Sequence, residues 1–529
     1  MNFYRLQVLI GIDPSSLQAG AREIENTFQL EIARHKLQDE VNLLETGSLG
    51  YFGTGVAIMI YPGQITYVNL KKEDVPEIVT EHFLKGKPVK RLMLGQAFTS
   101  GYNFNYRRRI VLENSGLINP ENIREYLGRG GYESWEKALL EMKPVQIVDI
   151  VKNSGLRGRG GAGFPTGLKW SFTQPLTVPQ KYFVINADEG EPGTFKDRLI
   201  MEGDPHKLLE GLMISSYAVG ATKAYIYIRG EYRLCINRLQ KAIDQARELG
   251  LLGSNIFGTG FDLDIEIKIG AGAYVCGEET ALIESMEGNR GQPRSKPPFP
   301  GVKGAWQKPT VVNNVETIAN IPSIISHGAD WFRSYGTESC PGTKVFTILG
   351  DVYMPGLCEV DMGTSLRTLI EEYGGGIRDD KKFKGALLGG AAGVFLSEKL
   401  LDVKMDFNSL KEYGAVLGSG AILVMNEDAD MVDMLYAVIR FFRHESCGKC
   451  IPCSKGTQKL YRIISRIRYG EGSEEDLVSM IRLAQAMNIS SFCALGQSLL
   501  MPIRSVIDNF RDEFLQKMDK KYKFSREAS

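Results

Sequence analysis

The sequence predicts a multidomain α/β protein that ends in a helical region, and three observations support this fold class. The chain has 529 residues, which is too many for one hydrophobic core, so three or four domains are expected. Strand-like and helix-like runs alternate over most of its length, as they do in α/β folds. Beyond residue 425 the pattern becomes that of consecutive helices.

The N-terminal region is expected to form a small α/β unit. Leu6–Ile10 is typical of a short strand and Ala21–Glu40 of an amphipathic helix. Two further strands flank a Pro-Gly turn, and a helix with proline in its first turn follows. These three elements are expected at Val56–Tyr61, Ile65–Val68 and from Val75-Pro76 onward.

The next region predicts a mostly parallel sheet with helices on both faces. Asn119 and Ser134 are candidate N-caps of two helices, and Val145–Asn153 continues the helical pattern. Apolar, β-branched strands then alternate with helices, which favours parallel pairing. The strands are Tyr182–Asn186, Ala224–Ile228 and Leu263–Ile269, and the helices are Leu208–Gly220 and Glu231–Leu249. A segment rich in proline and glycine, Gly288–Pro309, ends this pattern.

A second small β-rich unit and a helical region complete the chain. Strands are expected at Lys344–Leu349 and Leu423–Met425, with a helix at Leu366–Tyr373 between them. The predicted C-terminal helices are Met431–Arg443, Thr457–Tyr469, Ser473–Asn488 and Leu499–Phe514. Four cysteines are expected on the loops that join these helices.

Composition excludes several classes of protein. Lys plus Arg and Asp plus Glu both total 63, so there is no basic excess for nucleic acid. The N-terminus shows no signal peptide, and the apolar run Gly55–Tyr61 is too short to cross a bilayer. Cys235, Cys276, Cys340 and Cys358 are scattered singly, which suits a reducing compartment. We therefore expect a cytoplasmic protein without membrane insertion.

The spacing of four cysteines predicts an iron–sulfur cluster. Cys447, Cys450 and Cys453 are separated by two residues each, and Cys493 follows at a distance. Three thiols at this spacing with a remote fourth are typical of a [4Fe–4S] cluster. Structural zinc normally uses two separated pairs, so zinc fits poorly, and buried thiols that only pack are a further alternative. The pattern indicates that the protein carries electrons.

A glycine-dense loop, Gly155–Gly167, contains the spacing G-x-G-x-x-G at positions 158, 160 and 163. A predicted helix rather than a strand precedes it, so the usual dinucleotide fingerprint does not apply. Backbone without side chains can still approach a phosphate or a flat ring. Arg157, Arg159 and Lys169 add positive charge. A flexible surface loop is the alternative interpretation.

Three further segments carry polar groups that could bind a ligand. Asn186–Arg198 carries four carboxylates just after a strand, where ligands of such sheets bind; they could accept hydrogen bonds from ribose hydroxyls and a nicotinamide amide. Gly270–Thr280 opens a helix, whose N-terminus favours anions. Asn313 and Asn314 offer amides for a ring carbonyl. A solvated acidic loop, ordinary helix-dipole complements and an Asx turn are the respective alternatives.

In this order the motifs resemble those of the flavoprotein subunit of the NADH dehydrogenase module, from about Gln96 to about Arg511. Respiratory complex I, NAD-reducing hydrogenases and NAD-dependent formate dehydrogenases share this family. The resemblance implies FMN binding by Gly158, Arg159, Gly160, Gly161, Gly163, Lys169, Asn186, Asp188, Glu189, Tyr274, Gly277, Glu278, Asn313, Asn314 and Thr317. It implies NADH contacts by Phe164, Phe172, Glu191, Glu279, Lys296 and Phe299, with the phenylalanines around the adenine. The cluster ligands would be Cys447, Cys450, Cys453 and Cys493.

The resemblance also implies four domains. Residues 1–95 would be a degenerate thioredoxin-like domain, 96–334 a Rossmann-like domain for FMN and NADH, 335–425 a ubiquitin-like (SLBB) α+β domain, and 426–529 the helical [4Fe–4S] bundle. Larger relatives carry a [2Fe–2S] cluster in the first domain. Ser48 and Phe52 stand here where cysteines would be, and no cysteine precedes Cys235. The first domain is therefore expected to lack a cluster.

The implied function is that of a diaphorase subunit that passes electrons between NAD(H), FMN and the [4Fe–4S] cluster. Its expected partners are a [2Fe–2S] thioredoxin-like subunit and a catalytic subunit of formate dehydrogenase or hydrogenase type, with molybdenum or nickel and iron. The alternatives are a complex I flavoprotein subunit, an electron-bifurcating module, and a flavin-free electron-transfer or scaffold subunit. No side chain is assigned as a catalytic acid or base, because hydride transfer to a flavin requires none.

Overall fold

The computed structural model describes residues 4–94 and 109–518, so the expected domain boundary between residues 95 and 96 lies outside the described residues. The N-terminal unit is a four-stranded mixed sheet with helices Ala21–Arg34 and Val75–Glu77, the latter continued by a π-helical turn over Ile78–Leu84. Phe28 and Phe83 from these helices pack with the strand residues Val8 and Ile58. The strand order is Val41–Thr46, Leu6–Gly11, Val56–Tyr61 and Ile65–Leu70.

The prediction of one helix over Ala21–Glu40 was wrong at its C-terminal end. The helix ends at Arg34, and Lys36 adopts a left-handed conformation with φ of 55°. Val41–Thr46 instead pairs in parallel with Leu6–Gly11. Residues 35–40 form the turn that carries the chain from the helix back to the start of this strand.

Two predicted helix caps were also wrong. The helix expected after Asn119 is Ile123–Leu127, and Asn122 caps it by accepting from the Arg124 N–H. Ser134 lies inside helix Glu133–Glu141, and its hydroxyl donates to the Pro322 carbonyl at 2.8 Å. The Ser134 side chain thus forms a tertiary hydrogen bond and does not cap the helix.

The central sheet is fully parallel, as expected. Its order is Asp264–Gly270, Lys223–Arg229, Tyr182–Ala187 and Thr310–Asn314. The last strand was not predicted as a strand. The helices of this region are Pro144–Asn153, Thr166–Thr173, Lys196–Gly203, Pro205–Val219, Arg233–Glu248, Glu279–Met286, Pro300–Lys303, Val315–Ala319, Ile321–His327 and Ala329–Arg333.

The two faces of this sheet pack against different parts of the chain. Phe183 and Ile185 pack with Leu209 and its helix, Pro205–Val219. Val184 belongs instead to a core shared with the C-terminal helices. Adjacent side chains of a strand point to opposite faces, so the helical region covers one face of the parallel sheet and is held close to the carboxyl ends of its strands.

The third unit is a five-stranded mixed sheet that begins after a short ribbon of Gly336–Thr337 and Cys340–Pro341. Its order is Gly356–Asp361, Thr343–Gly350, Ala421–Asn426, Phe383–Leu388 and Val394–Ser397. Thr343–Gly350 and Ala421–Asn426 are parallel, and the other pairs are antiparallel. The expected helix is α-helical over Leu366–Thr368 and π-helical over Leu369–Tyr373, and a short helix spans Phe407–Glu412.

The C-terminal region is helical, as predicted, with helices Met431–Glu445, Ile451–Arg468, Glu474–Ser490, Ala494–Gln497 and Leu500–Met518. One expectation was wrong: the second helix starts six residues before Thr457, because Pro452 is well placed in a first turn. Cys453 therefore lies within this helix rather than on a loop. None of the helices in the described ranges combines the length and the apolar character that crossing a membrane requires.

Candidate flavin and iron–sulfur sites

A cleft of about 510 Å³ opens at the carboxyl ends of strands Tyr182–Ala187 and Thr310–Asn314. Its volume is typical of a site for a cofactor. Ten of the residues expected to bind FMN or NADH line it: Gly160, Gly161, Asn186, Asp188, Glu189, Glu191, Tyr274, Gly277, Glu278 and Asn314. The fold therefore brings segments from distant motifs to one place.

The glycine loop connects helices Pro144–Asn153 and Thr166–Thr173 and packs closely against other parts of the chain. A Cβ atom added to Gly160 would lie 2.9 Å from the Asn314 Cβ. At Gly163 φ is 64°, and an added Cβ would lie 2.6 Å from the Phe407 ring. Only glycine fits both positions, so the loop is a packed backbone wall of the cleft and not a flexible surface segment.

Asp188 presents an unsatisfied oxygen at the cleft. The Asn186 amide donates to the Gly277 carbonyl at 2.9 Å, and its oxygen accepts from the Asp188 N–H at 3.1 Å. The Asp188 Oδ2 atom is buried and has no hydrogen-bond partner among the residues that the structure describes. Burial raises the pKa of Asp188 to about 7, although Arg229 opposes this shift. A buried acceptor without a partner fits a ligand that donates a hydrogen bond there.

Glu189 has a structural role in addition to lining the cleft. Its carboxylate accepts from the Asp197 and Arg198 N–H groups at 2.9 and 3.0 Å, at the start of helix Lys196–Gly203. Tyr232 donates to the same carboxylate at 3.1 Å. Burial raises the pKa of Glu189 to about 7, and the Asp197 carboxylate adds to this. Glu189 thus fixes the beginning of that helix beside the cleft.

Lys196 is a cleft residue that the sequence analysis missed. Its Nζ atom lies 2.6 Å from Asp197 Oδ1 and 3.0 Å from Glu316 Oε2. The Asn314 amide donates to Asp197 Oδ2 at 2.6 Å. Burial lowers the pKa of Lys196, but Asp197, Glu316 and Glu189 outweigh it and raise the pKa above its ordinary value. Among the lining residues that the structure describes, Lys196 is the one basic side chain.

The third unit borders the cleft and is bonded there to Glu191, a residue of the acidic motif Asn186–Arg198. The Glu191 carboxylate accepts from the Tyr274 hydroxyl at 2.7 Å and from the Ala391 N–H at 2.6 Å. The Tyr274 N–H in turn donates to Glu445 Oε2 at 3.1 Å, just before the first cluster cysteine. Residues of the third unit and of the C-terminal helical region also line the cleft, and no sequence motif indicated them: Gly389, Ala392, Val416, Gly418, Ser419, Ala494, Leu495, Ser498 and Met501.

The other residues expected to bind FMN build the walls behind the cleft. The Arg159 N–H donates to the Thr317 hydroxyl at 2.8 Å, and its buried guanidinium donates to the Pro341 carbonyl. The Asn313 oxygen accepts from the Trp170 indole at 2.9 Å. Lys169 donates to Glu279 at 2.9 Å. Six of the residues expected to bind FMN are thus not among those that line the cleft: Gly158, Arg159, Gly163, Lys169, Asn313 and Thr317.

Three exposed phenylalanines accompany the expected NADH residues. Phe164, Phe172 and Phe299 are 49%, 55% and 60% exposed, which is unusual for large apolar rings. The Thr173 hydroxyl donates to the Gly301 carbonyl at 3.1 Å, so the segments that carry Phe172 and Phe299 lie side by side. Lys296 donates to Glu278 and Glu279 at 2.8 and 3.0 Å. These side chains lie outside the cleft lining itself, apart from Glu278.

The four cysteines line one small cavity together with Ser446, Lys449 and Leu495. Cys450 and Cys493 occupy N-cap positions, and Cys453 lies in the first turn of helix Ile451–Arg468. Thiols spread around a cavity fit a cubane, in which each binds a different iron, better than a single zinc ion.

Leu495 connects the two sites. It lines the cleft and also the cysteine cavity, and it is only 7% exposed. It follows Cys493 by two residues, in the short helix Ala494–Gln497. A single side chain therefore contributes to the walls of both cavities, which places any group bound in one close to any group bound in the other.

Comparison with known proteins agrees with this geometry. Residues 151–323 match the Nuo51 FMN-binding domain, and residues 433–517 match the iron–sulfur binding region of NADH-ubiquinone oxidoreductase-F. The chain is 52% identical over 413 residues to the NADP-reducing hydrogenase protein HndC of Solidesulfovibrio fructosivorans, covering 78% of this chain and 84% of that one. It is 48% identical to the second F-type subunit of NADH-quinone oxidoreductase from Rhizobium meliloti, covering 78% of this chain and 98% of that one.

A solved structure is similar over nearly the whole chain. The crystal structure of an NAD⁺-reducing [NiFe]-hydrogenase in the H₂-reduced state contains a chain with a TM-score of 0.70 and 30% identity, covering 98% of this chain and 85% of that one. These findings confirm the expected cofactors, FMN and a [4Fe–4S] cluster, with NAD(H) as substrate. The chain belongs to the family of flavin- and iron–sulfur-containing subunits of NADH dehydrogenase modules, which includes the F-type subunits of NADH-quinone oxidoreductase.

Proposed function

We propose that the cleft binds FMN, that NADH docks beside it, and that electrons leave through the four-cysteine site. Bound FMN supplies the conversion between a two-electron hydride and the single electrons that a [4Fe–4S] cluster accepts. The observation that carries this proposal is Leu495, which lines both cavities. The contribution of the protein is to hold the two redox groups and the nucleotide close together and aligned.

Individual residues are assigned to FMN as follows. Gly160 and Gly161 offer backbone that a flat ring or a phosphate can approach closely. The Asp188 Oδ2 atom, which has no partner within the described part of the chain, accepts a hydrogen bond from the flavin. Asn186, Asn314 and their neighbours in the cleft orient the ligand, while the wall residues Gly158, Arg159, Gly163, Lys169, Asn313 and Thr317 keep the loop and strand in place.

NADH is assigned to the mouth of the cleft. The exposed rings of Phe164, Phe172 and Phe299 offer flat apolar faces on which an adenine stacks. Glu191, Glu279 and Lys296 are assigned to the polar parts of the nucleotide. Carboxylates crowded at this site would repel a 2′-phosphate, so we favour NADH over NADPH.

NADPH is the second candidate, because the 52% identical relative is named as part of an NADP-reducing hydrogenase. Purified chain reconstituted with FMN is the material that separates the two. Rates of ferricyanide reduction with each nucleotide, measured side by side, should be far higher with NADH. Equal or higher rates with NADPH would reverse this assignment, and no flavin uptake at all would favour the flavin-free scaffold alternative.

We assign the four domains as residues 1–95, 96–334, 335–425 and 426–529. The mixed sheet at the N-terminus supports a degenerate thioredoxin-like domain, and the parallel sheet supports a Rossmann-like domain. We assign no cluster to the first domain because Ser48 and Phe52 stand where cysteine ligands would be. The five-stranded mixed sheet supports a ubiquitin-like α+β domain, and the last five helices support the bundle that carries the cluster. The first and third units each have a hydrophobic cluster of their own, which supports their assignment as domains.

For the assembly we favour a cytoplasmic complex of hydrogenase or formate dehydrogenase type. The similar hydrogenase chain covers 98% of this chain, including the N-terminal unit, which supports an assembly of hydrogenase type. Its proposed partners are a [2Fe–2S] thioredoxin-like subunit and a catalytic subunit with further iron–sulfur clusters. Complex I and electron bifurcation are the alternatives. Purification of the native complex followed by mass spectrometry tests this choice: recovery with membrane quinone-reductase subunits alone would contradict it.

A further inference from the structure

The loop Gly47–Phe52 of the N-terminal unit lies against a helix that begins at the flavin cleft. The Phe52 ring contacts the Phe195 ring edge-on, with centroids 5.5 Å apart and an interplanar angle of 68°. Phe195 immediately precedes Lys196, which lines the cleft and opens helix Lys196–Gly203. A residue of the first unit therefore packs one position away from a residue of the cofactor site.

The other end of the same helix is in contact with the same loop. A Cβ atom added to Gly47 would lie 2.7 Å from the Gly203 Cα, so the two backbones touch and no larger residue fits there. Helix Lys196–Gly203 is thus held by this loop at both ends, through a ring contact at its start and a backbone contact at its last residue.

A buried arginine ties the two units together beside this contact. Arg238 is 1% exposed; its guanidinium donates to the Glu202 carbonyl at 2.7 Å and to the Ile12 carbonyl at 3.2 Å. A Cβ atom added to Gly116 would lie 3.3 Å from the Ser48 carbonyl oxygen. The interface is therefore close-packed and hydrogen-bonded around the helix, which is typical of a fixed arrangement rather than a loose tether.

The start of this helix controls the polar network of the cleft. Lys196 Nζ lies 3.0 Å from Glu316 Oε2, and Asp197 accepts from the Asn314 amide at 2.6 Å. Hydrogen bonds of this length weaken steeply when donor and acceptor move apart. A small shift of Phe195 would move both side chains relative to strand Thr310–Asn314 and its continuation, and would change the shape of the site.

We propose that the loop Gly47–Phe52 is a brace that positions Lys196 and Asp197 in the flavin cleft, with Phe52 as a positioning residue. The inference rests on the proposed assignment of the cleft to FMN. Phe52 stands where the resemblance expects a cysteine ligand, so in this chain the ring takes a packing role at a position that cannot bind iron. The N-terminal unit thereby serves the flavin site without carrying a redox group.

The test compares Phe52→Ala with Phe52→Tyr in the full-length chain. Leu30→Ala is the matched control, because Leu30 belongs to the same unit and is 70% exposed. The dissociation constant of FMN is measured by quenching of flavin fluorescence on the flavin-depleted protein, alongside iron content and melting temperature. We expect Phe52→Ala to weaken FMN binding about three- to tenfold, the range set by loss of one aromatic pair. Tyrosine and the control should bind like wild type, with iron content unchanged.

Asn314→Ala separates this inference from the assignment of the cleft. If Asn314→Ala weakens FMN binding and Phe52→Ala does not, the cleft is the flavin site and the brace is wrong. If neither variant changes FMN binding, the cleft assignment fails and the brace with it. A lower melting temperature for Phe52→Ala with unchanged flavin affinity would also overturn the brace. Should the alanine variant not fold, Phe52→Leu is expected to give a smaller weakening in the same direction.

Discussion

At the scale of residues, several polar groups of the site are buried, and burial raises the pKa of carboxyl groups among them. Asp188 is the clearest case, because it is buried, one of its carboxyl oxygens has no partner in residues 4–94 and 109–518, and its pKa is raised to about 7. A carboxyl group whose pKa is higher in the folded than in the unfolded state favours folding most at a pH low enough to protonate it in both states. That contribution is present below the ordinary pKa of 3.8 and is lost as the pH rises towards 7.

Asp188→Asn should therefore stabilise the flavin-free protein at high pH. At pH 8 the variant avoids burial of a charged carboxylate, and its melting temperature should be a few degrees higher than that of wild type. At pH 4 the difference should largely vanish, since Asp188 is then neutral when folded. Thermal unfolding at both pH values measures this, with the exposed Asp149→Asn as control. A higher melting temperature for wild type at pH 8 would contradict it.

Stability and flavin binding should respond to this change in opposite directions. The asparagine keeps one acceptor oxygen but loses the negative charge, so FMN should bind more weakly to Asp188→Asn, by about tenfold if a charged hydrogen bond is lost. Fluorescence titration with FMN at pH 8 measures this. Tighter binding would show that Asp188 does not face the flavin.

At the scale of elements, sequence periodicity predicted most helices and strands, and it failed where tertiary contacts decide. Strand Val41–Thr46 was missed because its pairing partner, Leu6–Gly11, lies far along the chain. Thr310–Asn314 was missed because a five-residue strand shows too little pattern to be distinguished from a turn. Helix Ile451–Arg468 starts earlier than its apolar repeat indicates, because a proline in the first turn sets the boundary.

The candidate site divides in the same way. Glycines, carboxylates and cysteines with characteristic spacing were identifiable in the sequence, and ten of the expected residues line the cleft. Lys196, Ser419 and Leu495 were not identified, and Ser419 and Leu495 enter the site only through the packing of separate units. No local signal marks Ser419 or Leu495, whereas Lys196 lies beside the acidic motif and was overlooked as part of it.

The glycine loop offers a test with a matched control. Gly163 and Gly250 both have positive φ, 64° and 70°, but an added Cβ meets the Phe407 ring only at Gly163. Both alanine variants should lose about 1 kcal/mol from the left-handed backbone. Gly163→Ala should lose a further ~1–3 kcal/mol from overpacking. Urea unfolding measures the difference; equal losses would show that the loop is not packed as described.

At the scale of the whole molecule, separate units contribute to one redox site. The parallel sheet supplies the cleft, the third unit closes it through Ala391 and Glu191, and the helical region brings the cysteines to its wall at Leu495. Tyr274 also connects the cleft to the helical region, since its hydroxyl donates to Glu191 and its N–H donates to Glu445. Under the proposed assignment, this arrangement makes neighbours of two cofactors that are bound by distant segments.

The isolated chain should contain one cluster. Iron analysis of fully loaded protein should give about four irons per chain, as a cubane requires. Cys450→Ala should lose the cluster, whereas Cys358→Ala, which removes a cysteine on strand Gly356–Asp361, should keep it. If the Cys450→Ala variant still bound about two irons per chain, a second cluster would have to lie elsewhere in the chain.

The central claim is that electrons from NADH reach the four-cysteine cluster only by way of the flavin cleft. Anaerobic addition of NADH to the loaded chain, followed by electron paramagnetic resonance, tests it most directly. NADH should reduce the cluster in the protein that contains FMN, and should leave it oxidised in the same protein stripped of FMN, although dithionite still reduces it there. Equal reduction by NADH with and without FMN, or none in the loaded chain, would contradict the account.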